Sequence, residues 1–283
     1  MKTSVIILTY NNLKLNKKCL ASVLKCTKES FEIIVVDNNS QDGTPKYLET
    51  IDDSHVKVFL NKENVGFSRG NNQAAKLATG DVLVFLNNDT EVKEGWSEPL
   101  LEALGKDNVG VAGPKLLYQN GKIQHAGIVI SGDLIPRHIY RLFKSDFKAA
   151  NKHREYQAVT GACLAIKTEV FKKVGGFNEE YVNGLEDVDL CFKVKKEGLS
   201  IRYCPRSEVT HYESVSKDRF SHYFRNKELY FRNWPNIKPD EDDFYREDGF
   251  GPFFIFRQHI NNRYVTGNYI EKIKIVLKKI IGK

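Results

Sequence analysis

The segment FEIIVVDNNS, residues 31–40, is a continuous apolar run that ends in a group of polar residues. Similar apolar runs occur at residues 4–9, 56–60 and 82–86, and amphipathic stretches separate them, the first being residues 13–24 at helical spacing. Continuous apolar strands that alternate with helices are typical of a parallel sheet covered on both faces. We therefore predict an α/β sandwich with a mostly parallel central sheet.

The pattern changes along the 283 residues, and we divide the chain into three parts. Strand and helix patterns alternate strictly over residues 1–114, whereas residues 115–234 contain mixed strands and turns. Residues 235–283 begin with a stretch rich in acidic residues, Gly and Pro, which we interpret as a solvated linker up to residue 252. They end in a basic tail with helical spacing.

Composition and cysteine pattern argue against several classes of protein. With 41% hydrophobic and 28% charged residues, the chain has the composition of a soluble globular protein. The five cysteines are scattered and never form a CxxC pair, which argues against a disulfide framework or a thiolate zinc site and favours a reducing, cytoplasmic compartment. We find no signal-peptide layout and no run of about 18 apolar residues, so we expect neither secretion nor a membrane span.

Polar residues follow three of the predicted strands, at the end of the sheet where ligands bind in such folds. The three groups are Thr9-Tyr10-Asn11-Asn12, Asp37-Asn38-Asn39-Ser40 and Asn87-Asn88-Asp89. A carboxylate such as Asp37 can accept a hydrogen bond from a nucleobase, although Asp37 and Ser40 could equally cap the next helix. The oxygens of the third group suit magnesium or manganese, and an ordinary turn has the same composition.

A glycine-bearing loop, residues 64–72, leads into a helical pattern at residues 73–77. Backbone amides at a helix start, with Arg69 close by, suit a phosphate or a sugar hydroxyl, although glycines before a helix also occur as plain turns. Neither GxGxxG nor GxxxxGK[ST] occurs, so the loop is not a dinucleotide fingerprint or a Walker loop.

Three carboxylates, Glu186, Asp187 and Asp189, precede another helical pattern. They can be caps that interact with the helix dipole, or crowded like charges that raise a pKa and prepare a general base. His211 follows a strand pattern, where a histidine is either structural or a ligand.

Taken in order, these motifs resemble the family 2 glycosyltransferases of the GT-A fold over about residues 3–233. The motifs are Thr9-Tyr10-Asn11, Val36-Asp37-Asn38, Asn64-Val65-Gly66 with Asn71, Asn87-Asn88-Asp89, Glu186-Asp187 and His211. Three further segments are similar to bacterial rhamnosyltransferase-like enzymes of surface polysaccharide assembly, namely residues 161–166, 175–179 and 223–227.

The resemblance implies an inverting transfer of a sugar from a UDP- or dTDP-linked donor to an acceptor hydroxyl. It implies that residues 1–114 bind the nucleotide sugar and that residues 115–234 bind the acceptor. The donor-binding residues would be Thr9, Tyr10, Asn12, Asp37, Asn39, Gly66, Arg69, Asn71, Asn87 and Asn88, with Thr9, Tyr10 and Asp37 holding the nucleoside. Asp89 and His211 would bind Mn²⁺ or Mg²⁺, Asp187 would be the base, and Glu186 would position the acceptor or the donor sugar. Many relatives carry an aspartate where this chain has Asn87, so the metal identity is open.

Two other functions remain as alternatives. A sugar nucleotidyltransferase also uses an α/β sheet, but its glycine-rich N-terminal phosphate loop is absent here. A non-catalytic sugar- or nucleic-acid-binding module would suit the net charge of +7, but the acidic residues 186–189 would repel phosphates without a metal. We expect no nucleic-acid partner. We expect a glycan, a lipid-linked or a protein-linked acceptor, and oligomerisation is open.

The C-terminal segment combines an apolar stripe with lysines. The stripe contains Ile270, Ile273, Val276, Leu277, Ile280 and Ile281. Such a helix can lie on the anionic inner face of a membrane, which would make the protein peripheral there. The alternative is a terminal helix that packs on the catalytic part or on a second subunit.

Overall fold

The computed structural model describes residues 1–213 and 222–263, so the predicted stripe between Ile270 and Ile281 lies outside the described residues. The strands of the described residues are β1 Thr3–Thr9, β2 Phe31–Asp37, β3 Val56–Leu60, β4 Val82–Leu86, β5 Thr90–Val92, β6 Val109–Leu117, β7 Ile123–His125, β8 Ile128–Ile130, β9 Pro136–His138, β10 Arg154–Glu155, β11 Cys163–Lys167 and β12 Ser200–His211. The α-helices are α1 Leu13–Cys26, α2 Thr44–Leu48, α3 Phe67–Leu77, α4 Glu98–Leu104, α5 Thr168–Lys173, α6 Glu186–Lys196, α7 Tyr223–Asn233, α8 Glu241–Glu247 and α9 Pro252–Arg263.

Ten of the described strands form one sheet. Eight lie in the order β10-β12-β6-β11-β4-β1-β2-β3, while β5 joins β12 and β7 joins β6. The first four strands of the chain are parallel, as predicted, and β6 is parallel to β12. β11 is antiparallel to both of its neighbours, β4 and β6. The long strands are therefore mostly parallel, with β11 as the exception among them.

Helices cover both faces of the sheet. Successive side chains of a strand point to opposite faces, so each strand packs against the helices on both sides. Val5 and Ile7 of β1 pack with Leu20 of α1, in a layer that α2 and α4 complete. Ile6 of β1 packs on the other side with Ala74 of α3, in a layer shared with α5, α6 and α7. This is the predicted α/β/α sandwich.

The parallel strands end at one edge of the sheet, which we call the site edge. Thr9 of β1 lies beside Asp37 of β2 in the register. Because β11 runs in the opposite direction, Gly161, two residues before its first residue, also lies at the site edge. β12 ends here at His211, which pairs with Thr90 of β5. The site edge thus joins residues that are far apart in sequence.

The interpretation of residues 235–252 as a solvated linker is wrong. Glu241–Glu247 form α8, and Tyr245 is only 2% exposed. Asp240 anchors the start of this helix, since its N–H donates to the Ile130 carbonyl over 2.9 Å and its carboxylate accepts from the Ile130 N–H over 2.7 Å. The acidic run that suggested a linker occupies the first turn, where carboxylates interact favourably with the helix dipole.

The predicted boundary at residue 114 falls inside β6. Because β11 pairs with β4, residues 1–114 and 115–234 share one sheet. The division therefore stays a prediction about function and does not coincide with a break in the fold.

The helices of the described residues are short. α1 has 14 residues, whereas a helix needs about 20 apolar residues to span a bilayer. Within residues 1–213 and 222–263, none is long and apolar enough to cross a membrane.

Candidate active site

The carboxylate of Asp37 joins the ends of β1 and β2. It accepts hydrogen bonds from the Thr9 hydroxyl over 3.0 Å, from the Ser40 hydroxyl over 2.5 Å and from the Ser40 N–H over 2.9 Å. Helix α2 begins only at Thr44, so Asp37 and Ser40 form a turn at the strand end rather than a helix cap. Tyr10 follows β1 and is 47% exposed, which leaves its ring accessible at the site edge.

Three asparagines form the turns that follow β1 and β2. Asn11, Asn12 and Asn39 have φ values of 56°, 63° and 64°, a left-handed conformation that asparagine tolerates better than most residues. Asn11 joins the two turns, because its N–H donates to Ser40 Oγ and its Oδ1 accepts from the Gln41 N–H, each over 2.7 Å. The predicted donor contacts Asn12 and Asn39 therefore lie in one double turn.

Asn38 ties the glycine-bearing loop to the site edge. Its Nδ2 donates to Asn64 Oδ1 over 2.8 Å and to the Gly66 carbonyl over 3.3 Å, while its Oδ1 accepts from the Val65 N–H over 3.1 Å. Helix α3 begins at the next residue after Gly66. The N-terminal amides of α3 are thereby fixed beside the ends of β1 and β2.

Two predicted contacts on α3 have different surroundings. Arg69 in the first turn is exposed, whereas Asn71 is 2% exposed and its Nδ2 donates to the Phe67 carbonyl over 3.0 Å. Arg69 can reach an anion at the helix N-terminus, while the Asn71 amide is bonded within its own helix.

Buried side chains of α1 hold the segment that follows β4. Asn16 of α1 is 3% exposed, accepts from Asn88 Nδ2 over 2.6 Å and donates to the Asn11 carbonyl over 2.9 Å. The Cys19 thiol donates to the Asn87 carbonyl over 3.5 Å. Burial raises the pKa of this thiol to about 12, so it stays protonated. The positions of Asn87 and Asn88 are thus set by α1.

Asp89 and His211 meet where β12 pairs with β5. His211 Nε2 lies 3.1 Å from Asp89 Oδ1, and the two side chains are 13% and 8% exposed. The sequence predicted these residues as a metal-binding pair, and the structure brings them together.

The hydrogen-bond partners of the His211 ring favour the binding of a cation at Nε2. Gln124 donates from Nε2 to Glu213 over 3.3 Å, which orients its Oε1 towards His211 Nδ1, 2.6 Å away. Nδ1 of a neutral ring therefore carries the proton, and Nε2 directs its lone pair at the Asp89 carboxylate. A cation placed between Nε2 and this carboxylate would contact both groups. Metal-binding histidines commonly donate their other N–H to such a carbonyl.

The distance of 3.1 Å between His211 Nε2 and Asp89 Oδ1 also fits two ligands of one metal ion. Two adjacent ligands of an octahedral ion, each at about 2.1 Å, lie about 3.0 Å apart. The described residues contain no group of three or more His, Cys, Asp or Glu side chains that could hold a metal. Substrate phosphates and water would have to supply the other ligands, which is usual for magnesium.

Asp187 lies in the first turn of α6 and contacts the segment before β11. Its Oδ2 accepts from the Gly161 N–H over 2.8 Å, and a Cβ at Gly161 would lie only 3.2 Å from the Asp187 Cβ. The carbonyl of Ala162 accepts from the Asn87 N–H over 2.9 Å. Gly161 and Ala162 therefore join the predicted base to the segment that ends in Asp89.

The other two carboxylates of this cluster have separate partners. Glu186 is 8% exposed and accepts from the Gly184 N–H over 2.5 Å. Asp189 is 1% exposed, accepts from Trp234 Nε1 over 3.0 Å and pairs with Lys193 over 3.0 Å. Asp189 is thus a structural group that joins α6 to the residue after α7.

Two surface cavities, of about 320 and 660 Å³, lie beside Lys195 at the other end of the sheet. The smaller is lined by Ser200, the first residue of β12, and the larger by Trp234. None of the predicted site residues lines either cavity. The candidate active site is therefore located by the predicted residues that meet at the site edge and not by a cavity.

All predicted site residues lie on segments that meet at the site edge or on α3 beside it. They are Thr9, Tyr10, Asn12, Asp37, Asn39, Gly66, Arg69, Asn71, Asn87, Asn88, Asp89, Glu186, Asp187 and His211. Their roles in binding and catalysis stay predictions.

Sequence reasoning missed Asn16 and Gln124. Asn16 could have been noticed in the sequence, because it lies at helical spacing on the buried face of α1 with Cys19, Leu20 and Val23. An apolar residue is expected at such a position. Gln124 could not have been noticed, since its neighbours in sequence do not indicate that it faces His211.

The chain belongs to the family described as Glycosyl transferase family 2, which it matches over residues 4–175. A second match, to the family described as the N-terminal domain of galactosyltransferase, covers residues 141–218. The first match contains the ends of β1, β2 and β4, and the second contains Asp187 and His211. The resemblance inferred from the motifs is confirmed.

Two curated relatives show the same relationship. The chain is 32% identical to the O-antigen biosynthesis protein RfbC of Myxococcus xanthus, covering 76% of this chain and 18% of that protein. It is 26% identical to an N-acetylglucosaminyl-diphospho-decaprenol L-rhamnosyltransferase of Mycobacterium tuberculosis, covering 77% of this chain and 79% of that protein. The chain spans 30% and 18% of the length of two relatives at 32% identity.

Solved structures show the fold. The crystal structure of GalNAc-T7 with UDP, GalNAc and Mn²⁺ superposes with a TM-score of 0.65 at 19% identity, covering 94% of this chain and 58% of that chain. The fold is the GT-A fold of glycosyltransferases, as the motifs predicted.

Proposed function

We propose that the protein is an inverting glycosyltransferase that moves a sugar from a UDP- or dTDP-linked donor to a hydroxyl in glycan or surface polysaccharide assembly. One observation carries the proposal: Asp187 and the Asp89–His211 pair lie on segments joined by the Ala162–Asn87 hydrogen bond. A base and a cation-binding pair at one sheet edge suit the displacement of a nucleoside diphosphate.

The leaving group requires neutralisation of its charge. Asp89 and His211 would hold Mg²⁺ or Mn²⁺, which supplies positive charge to the diphosphate when bound. Because Asn87 replaces a second carboxylate, the donor phosphates would contribute a larger share of the ligands. We expect cation and donor to bind together.

The donor would lie along the ends of β1 and β2. Tyr10 offers an exposed ring to the base, and Thr9 and Asp37 hold the strand ends beside it. The N-terminal amides of α3 and the exposed Arg69 suit a phosphate or a sugar hydroxyl. The remaining part of this surface is formed by Asn12, Asn39, Gly66, Asn87 and Asn88.

Asp187 would remove the proton of the acceptor hydroxyl. Its carboxylate is oriented by two backbone donors, the N–H groups of Gly161 and Val188, each at 2.8 Å. One base without a covalent nucleophile implies a single displacement, which inverts the anomeric carbon. Glu186 in the same turn would position the acceptor or the donor sugar.

The acceptor class is the open part of the proposal. The name of the mycobacterial relative contains a decaprenol-linked diphosphosugar, which supports a lipid-linked acceptor, and other glycan or protein acceptors are the alternatives. We propose a cytoplasmic location with peripheral membrane contact through the C-terminal segment, which lies outside the described residues.

Hydrolysis of sugar nucleotides tests the proposal against its rivals. The protein is incubated with UDP- and dTDP-linked sugars and Mn²⁺, and release of the nucleoside diphosphate is measured. We expect slow release that a chelator and Asp89→Ala abolish, whereas the exposed control Asp107→Ala retains it. Formation of nucleoside triphosphate from pyrophosphate would indicate a nucleotidyltransferase, and binding without release would indicate a binding module.

A further inference from the structure

The chain enters α6 through a strained loop. Asn183, Gly184 and Leu185 are consecutive residues with φ values of 52°, 141° and 73°. A non-glycine residue rarely adopts this conformation and persists in it where the surrounding structure enforces it. Leu185 lacks a polar side chain that could stabilise the turn locally. Other parts of the molecule must therefore hold this loop.

Asn226 of α7 holds it with three hydrogen bonds. Its Oδ1 accepts from the Val182 N–H over 3.2 Å, and its Nδ2 donates to the carbonyls of Val182 over 2.7 Å and of Gly184 over 3.0 Å. Asn226 is 2% exposed, so water does not compete for these bonds. Both hydrogens of the amide and its oxygen are used, and together they bracket Asn183.

The loop in turn sets the first turn of α6. The Gly184 N–H donates to the Glu186 carboxylate, and the Leu185 carbonyl accepts the first helical bond, from the Asp189 N–H, over 2.9 Å. Asp187 lies between these two fixed points. A change in the loop would therefore rotate or shift the turn that presents Asp187 to Gly161.

Helix α7 does not depend on Asn226 for its place in the core. Leu229 and Tyr230, one turn further on, are 6% and 0% exposed and pack in the main core cluster. The Asn226 amide is therefore a local clamp on an independently anchored helix. Its replacement should release the loop without releasing α7.

We propose that Asn226 is a positioning residue that fixes the loop 182–185 and thereby the carboxylate of Asp187. The proposal rests on the proposed function, in which Asp187 is the base. It also gives a physical role to the segment 223–227, which the motifs singled out without a role.

Two variants and a matched control test it. Asn226→Ala removes all three hydrogen bonds, and Asn226→Asp keeps the shape but turns a carboxylate oxygen towards two carbonyls. Asn151 is the control, because its Nδ2 also donates to two loop carbonyls, those of Ser145 and Phe147, and its Oδ1 accepts from Lys115. Asn151→Ala likewise removes three hydrogen bonds of one asparagine, at an exposed position that does not contact the loop 182–185. If Asn226→Ala does not fold, Asn226→Ser takes its place.

Two readouts separate positioning from general destabilisation. A misplacement of about 1 Å can lower a rate about 10²-fold, so we expect both Asn226 variants to lower kcat by about that factor with little change in donor KM. The second readout is the NMR shift of the Gly161 amide, which donates to Asp187. Labelling threonine carbonyls and glycine nitrogens selects three Thr-Gly pairs in this chain, one of them Thr160-Gly161.

A moved Gly161 resonance and a reduced kcat in both Asn226 variants, with neither change in Asn151→Ala, support the proposal. An unmoved resonance with normal kcat overturns it, and so does an equal loss in the Asn151 control. If the resonance moves but Asp187→Asn retains full transfer, the positioning role stands and the assignment of Asp187 as base fails.

Discussion

Two backbone N–H groups hold the carboxylate of Asp187. The N–H groups of Gly161 and Val188 bond to different oxygens of its carboxylate. Backbone donors fix the plane of the carboxylate without supplying a proton to it. This suits a base whose orientation relative to the acceptor decides the rate.

Replacing this carboxylate by an amide tests its role. Asp187→Asn keeps the size of the side chain and removes the basicity, so we expect kcat for transfer to fall about 10²–10⁴-fold while donor affinity changes little. Asp189→Asn is the matched control two residues away, since it should lower stability and spare kcat. Substantial transfer by the Asp187 variant would remove Asp187 from the role.

Sequence reasoning found site residues after predicted strands, in the glycine-bearing loop and at the start of a predicted helix. The resemblance, rather than the strand pattern, paired Asp89 with His211, and the structure places their side chains 3.1 Å apart. Gln124 could not be found, because its contact with His211 depends on how β7 joins β6, which the pattern does not encode. Asn226 was noticed within a motif, but its contacts with Val182 and Gly184 needed the packing of α7.

At the scale of elements, the entry into α3 depends on one backbone conformation. Gly66 has φ 82° and ψ 176°, a region that is essentially restricted to glycine, although no atom lies within 4 Å of a Cβ built there. A side chain would therefore cause strain and no clash. The loop that Asn38 holds would have to change shape.

Gly66→Ala should destabilise the fold by roughly 1–3 kcal/mol through this strain and raise the donor KM. Gly132→Ala is the control, because its Cβ also meets no atom within 4 Å and its φ is ordinary. Chemical denaturation and donor kinetics measure the two effects. Equal behaviour of both variants would contradict the account of this loop.

The far end of the sheet is stabilised by a buried carboxylate on β2. Burial alone would raise the pKa of Glu32, but hydrogen bonds from Lys57, Ser4 and Thr79 outweigh it and lower the pKa to about 2. Because the folded-state pKa is below the unfolded value, the stabilisation is present above the unfolded pKa, about 4.3, and is lost as pH falls towards 2.

Glu32→Gln should therefore lower the free energy of unfolding by roughly 3 kcal/mol at pH 7, and the difference should shrink between about pH 4 and pH 2. The exposed Glu49→Gln is the control and should change stability by less than about 0.5 kcal/mol. Urea denaturation across this pH range measures both. A difference for Glu32→Gln that does not depend on pH would contradict the ionic origin of the effect.

At the scale of the molecule, the sequence predicted the sandwich and the site edge but misjudged residues 235–252. The first half was predictable because each strand is a continuous apolar run, as in Val82–Leu86. Helix α8 was not, because its acidic first turn resembles a linker and its apolar contribution, mainly Tyr245, packs against distant residues such as Tyr140. Such an element is determined by tertiary contacts rather than by its own pattern.

The basic tail after α9 gives a prediction for the whole chain. If it binds an anionic membrane surface, the full chain should sediment with acidic vesicles at low salt, and a chain that ends at Asn262 should not, because each basic residue near the surface contributes about 1 kcal/mol. Neutral vesicles are the control. Equal binding of both chains, or unfolding of the shorter one, would instead favour a tail that packs on protein.

The central claim is that one base, Asp187, drives a single displacement at the site edge. The anomeric configuration of the transferred sugar tests this most directly, measured by NMR on the product formed with the active donor and a suitable acceptor. The account predicts a configuration opposite to that of the donor. A product that retains the donor configuration would require a different mechanism and would contradict the role assigned to Asp187.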